Sequence, residues 1–188
     1  GGLLQTLDLY LDSAADLVLL ADAGQRFEEQ WPAGVVRGAG IVRLLCKVSA
    51  GACHLIQDIE GARGPVLARP AFDRETLRAF CEAVHELARR WPPHEAEGAR
   101  RTLKGILPHY SGDPLALAMR LALDVQASAA SQLFLTPVDT LEAIKLVIER
   151  AEGSFPLADL SRRVEDLFGV HVSQPDPDDV LRVLREQG

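Results

Sequence analysis

Apolar residues recur at steps of three and four almost without a break from Leu3 to Leu184. An α-helix turns once in about 3.6 residues, so this spacing gathers side chains into one stripe along a helix face. A strand would need alternation at every second residue, and that period fits far fewer positions. The fold expected from such a pattern is all-α, a multi-helix bundle joined by short connections. With 188 residues, 47% of them apolar, the chain can bury one sizeable core or two small ones. The disordered class is excluded on the same composition.

The first stripe is Leu3, Leu7, Tyr10, Ala14, Leu17, Val18 and Ala21, a helix that Gly24 is expected to close. Over 40–60, Ile41, Leu44, Leu45, Val48, Ala52, Leu55, Ile56 and Ile59 keep the helical step, with Arg43, Lys47, His54 and Asp58 opposite. That spacing predicts a helix through Gly51, at about 1 kcal/mol for the glycine. A β-hairpin with its tip at Gly51 is the alternative. Residues 61–70 carry Gly, Arg and Pro and are expected to form a loop. Asp73 caps a helix bearing Leu77, Phe80, Cys81, Val84, Leu87, Ala88 and Trp91, which Pro92-Pro93 stops. A shorter helix from Glu95 carries Ala99, Leu103, Ile106 and Leu107. Asp113-Pro114 is a cap followed by proline at the first helical position. The segment it opens, to about Leu133, is apolar nearly all round, with Arg120, Asp124 and Ser128 in one narrow stripe. Such a helix belongs at the centre of a bundle, so 113–133 is expected to be the central rod.

Asp139 with Glu142 reads as a capping box, and three short helices are predicted at 139–151, 157–168 and 177–187. The chain therefore divides into a helical bundle over 1–136 and a tri-helical subdomain over 137–188 packed on it. The carriers Leu141-Glu142-Ala143-Ile144, Phe155-Pro156-Leu157-Ala158-Asp159-Leu160 and Val180-Leu181-Arg182-Val183-Leu184 make this last third resemble the tri-helical half of winged-helix domains, without a wing. No family is recognised for residues 1–136. The resemblance implies a docking piece. For reading DNA the charges are unfavourable: from Pro137 onward eleven acidic residues face six basic ones, net −5. The helix that would enter a groove starts with Asp176, Asp178 and Asp179, which suit its own dipole but would face phosphates.

The whole chain carries a net charge of −7, which disfavours broad nucleic-acid or anionic-membrane binding. Asp8, Asp12 and Asp16 interrupt the first apolar stretch, so it reads as neither a signal peptide nor a membrane span. Three cysteines, Cys46, Cys53 and Cys81, form no even framework, and a reducing, cytoplasmic or otherwise intracellular setting is expected.

No catalytic residue, metal site or cofactor is expected. Cys81 and His85 lie one helical turn apart and Cys53-His54 supplies a second pair, enough ligands for a tetrahedral zinc. However, Cys81 falls on the apolar face with Phe80 and Val84, where a thiol behaves as a small hydrophobe. Gly34, Gly38 and Gly40 lack the strand and lysine of a phosphate loop. Two surfaces stand out for a partner. Arg89, Arg90, Arg100, Arg101 and Lys104 cluster about Trp91, partly explained by a helix C-terminus and by Glu97. Asp8, Asp12 and Asp16 form an acidic stripe with modest mutual repulsion, read either as a solvated face or as a ridge that docks on a basic partner. The function expected is a non-catalytic protein-interaction domain, an adaptor or scaffold within a larger regulatory protein. The alternatives are a nucleic-acid-associated regulator using the 89–104 basic corner, and an enzyme whose site is assembled from distant segments.

Overall fold

The computed structural model describes residues 2–30, 38–90, 95–128, 131–136, 140–149, 151, 153–168 and 176–187. In chain order the elements are α1 (Gly2–Ser13), β1 (Leu17–Leu19), α2 (Leu20–Gln30), α3 (Gly38–Val48), β2 (His54–Ile56), β3 (Val66–Ala68), α4 (Arg74–Arg89), α5 (Ala96–Ile106), α6 (Pro114–Leu121), β4 (Val125–Ala127), β5 (Leu133–Leu135), α7 (Thr140–Glu149), α8 (Leu160–Phe168) and α9 (Pro177–Gln187). A 3₁₀ turn at Leu157–Asp159 leads into α8. The chain is mostly helical but α+β, and the all-α expectation is corrected by two small antiparallel sheets.

β3 lies between β1 and β2, pairing Val18 with Leu67 on one side and Leu55 with Leu67 on the other. Side chains alternate across a strand. Val66 and Ala68 accordingly enter a core shared with α4, α5 and α6, while Leu67 enters a second core shared with α1, α2 and α3. Leu17 and Val18 divide between the same two cores. Two helical layers thus sandwich a three-stranded sheet whose middle strand is buried on both faces.

Three long helices expected from the spacing end early, each at a backbone reversal. The first stops at Ser13, because Ala15 and Asp16 take φ of 54° and 71° before β1 begins. The helix predicted through Gly51 stops at Val48, with Ala50 at φ 53° and Gly51 at φ 83°. The hairpin alternative fails too, since β2 pairs with β3 rather than with 41–48. The central rod expected at 113–133 is α6 alone; Asp124 turns at φ 55°, and Val125–Ala127 then pairs as β4 with β5. Within the loop expected at 61–70 runs β3. Gly24 lies inside α2 rather than at the end of the first helix.

The caps read from the sequence hold where the structure describes them. Asp73 accepts from Thr76 N at 2.8 Å, and Asp113 accepts from Leu115 N at 3.2 Å. Asp139 and the two tryptophans lie outside the described residues. α7, α8 and α9 enclose a third core of Ile144, Val147, Leu160, Val164, Val180 and Val183, which Phe134 from β5 also enters.

Candidate functional site

α9 presents a wide apolar arc. Val180 and Val183 point into the third core, while the adjacent Leu181 and Leu184 stay 47% and 45% exposed. Opposite them, Gly153 adopts φ 98° beyond the end of α7 and lets the chain turn toward Phe155 and Leu157. Leu157 is 41% exposed. Between these walls, floored by Ile148, Leu160 and Val180, lies a cleft of about 580 Å³. Ser154 is the one polar side chain in its described lining. Arg163 packs its guanidinium 4.2 Å from the centre of the ring of Phe155, a lining residue, which steadies that ring. Among the described lining residues none is charged, and the apolar walls can take apolar side chains out of water.

Leu157 and Leu184 fall within the helices expected at 157–168 and 177–187; spacing has no means of separating a core-filling leucine from a cleft-lining one. The signal was the breadth of the arc. Val180, Leu181, Val183 and Leu184 cover more of a helix than one neighbouring helix buries.

The acidic stripe has its counterpart within the chain. Asp8, Asp12 and Asp16 all face Arg69, which follows β3: Nη1 meets Asp8 at 2.9 Å, Nη2 meets Asp12 at 2.8 Å and Nε stands 3.6 Å from Asp16. Arg69 Nη1 also donates to the Ala52 carbonyl at 3.2 Å.

In the basic corner the members part company. Arg100 donates to Asp113 at 3.1 Å, and Lys104 donates to the Tyr110 carbonyl. Arg89 and Arg101 are exposed, as is Arg90 beyond the end of α4; Trp91 lies outside the described residues. At the zinc candidates, both ring nitrogens of His85 face carbonyls, Nδ1 at 2.7 Å from Cys81 O and Nε2 at 2.9 Å from Leu123 O. Cys81 is fully buried, and burial pushes its thiol up to about 12. Among the described residues no three His, Cys, Asp or Glu groups are placed to share a metal ion, and no helix is long and apolar enough to cross a membrane.

Compared with protein-family models, with curated proteins and with solved structures, the chain matches none.

Proposed function

We propose that this protein is a non-catalytic protein-interaction domain, an adaptor or scaffold, whose α7–α9 cleft receives the apolar face of a helix from a partner protein. Five strands interrupt the helical patterning that first suggested a docking role, so the reading rests on the cleft. Among the described residues its walls are helices and turns, which offer no strand edge to an extended peptide. A small-molecule site of this volume generally fixes its ligand with several placed polar groups, and Ser154 alone supplies one among the described lining. An amphipathic helix needs no such groups, because it satisfies its own backbone and offers leucine-sized side chains at successive turns.

The test is selection of binders from a library of amphipathic helical peptides displayed against the full chain. Selected peptides are expected to repeat apolar residues at helical spacing. Substituting Leu181→Glu together with Leu184→Glu should weaken them at least about tenfold, or 1.4 kcal/mol, by calorimetry. Leu44→Glu, at an exposed leucine on α3, should leave them unchanged. Because all three leucines are exposed, the variants should melt like the parent. Peptides that bind the cleft variant as well as the parent, or a library that yields none, would overturn the reading. Tight capture of a small apolar dye without any peptide would make the cleft a ligand site.

A further inference from the structure

Cys46 sits in the last turn of α3 and Cys53 just before β2, on either side of the reversal at Ala50 and Gly51. The reversal brings both thiols into one hydrogen-bonded cluster. Cys46 Sγ donates to the Cys53 carbonyl at 3.5 Å, and Ser49 Oγ donates to the Cys46 carbonyl at 2.7 Å. A hydroxyl has one proton, so the 3.5 Å contact between Ser49 Oγ and Cys53 Sγ is a donation from the Cys53 thiol. Both cysteines are buried, and Cys81 lies on the other side of the sheet, in the core of α4–α6.

We propose that Cys46 and Cys53 are a dithiol modification site, which closes to an intramolecular disulfide on reaction with a small disulfide oxidant such as oxidised glutathione. In the first step the Cys53 thiolate attacks one glutathione sulfur, forming a mixed disulfide and releasing one glutathione thiolate, which takes up the proton Cys53 lost. Cys46 then gives its proton to solvent and attacks Cys53 Sγ. The second glutathione leaves as a thiolate and is protonated, so two electrons pass from the dithiol to the oxidant. Cys46 closes the ring because its Sγ already lies 3.5 Å from the Cys53 carbonyl, although burial, and then contact with the Cys53 thiol, push it up to about 12. Both thiols are buried, and Ala50, Gly51 and Ala52 between them are exposed, so opening of this turn is the proposed route of the oxidant to the pair. The cross-link clamps the end of α3 to the start of β2, beside the carbonyl of Ala52 that Arg69 holds.

The experiment incubates the native chain with oxidised glutathione, alkylates what remains and maps peptides without reduction. Alkylatable thiols are expected to fall from three to one, with the label on Cys81, Cys46 joined to Cys53 and the intact mass lower by two hydrogens. Cys46→Ser should stop at one glutathione on Cys53. Should that variant fail to fold, the map of the unsubstituted chain still decides the matter. Three thiols left after incubation, a bond through Cys81 or between two chains, or closure only in denaturant, would each overturn the proposal.

Discussion

Arg69, just after β3, holds together the turn before β2 and three carboxylates of the α1 segment. One guanidinium answers carboxylates spaced one helical turn apart along α1 and at its end, and ties the turn before β2 to them. Each carboxylate is at least 44% exposed. Exposed pairs are worth about 0.2–1 kcal/mol, and removing the cation leaves three like charges facing one another. Arg69→Met is therefore expected to lower stability by about 1–2 kcal/mol in urea denaturation, adding the lost bond to Ala52. The deficit should shrink near 1 M salt, where the Debye length is about 3 Å. A deficit unchanged by salt would place the effect in packing instead. The stripe Asp8, Asp12, Asp16 was legible in the sequence as a charged face, solvated or docked on a basic partner. Its partner was not, because β-pairing brings Arg69 to it across more than fifty positions.

Elements with local start signals were legible. Asp73 and Asp113-Pro114 mark α4 and α6 because capping is settled by neighbouring residues. Strands were not, because Leu17-Val18-Leu19 and Val66-Leu67-Ala68 are buried on both faces and so show no alternation. The crossing of α2 and α3 belongs to this scale as well. A Cβ at Gly38 would fall on the Gly24 carbonyl, and one at Gly24 would stand 2.6 Å from Ala39 N. Both obstacles are backbone, so the helices must part to admit a methyl group. Gly38→Ala should cost about 1–3 kcal/mol. Gly98→Ala in α5 meets nothing within 4 Å, and should gain about 0.5–1 kcal/mol from helix propensity. Thermal melts of the two variants should move in opposite directions; a shared direction would refute the close crossing.

At the scale of the molecule, β3 couples the two helical layers, since one three-residue strand feeds both cores. Leu67→Ala is expected to cost about 2–5 kcal/mol, the range for a fully buried leucine. Hydrogen exchange should show α1–α3 and α4–α6 losing protection together; loss in one layer alone would mean that the sheet does not couple them. The α7–α9 unit packs its own core, met by Phe134, and it alone holds the cleft. Its three helices were readable because the apolar stripes of 157–168 and 177–187 sit between proline and glycine punctuation. By itself the sequence determined that a core forms, where α4 and α6 start and that helix predominates, since composition, caps and spacing act over a few residues. Tertiary structure alone decided which apolar runs became strands, which cation met the acidic stripe and which leucines stayed at the surface. Each of those outcomes depends on a neighbour distant in the chain, and a local period carries no information about who that neighbour is.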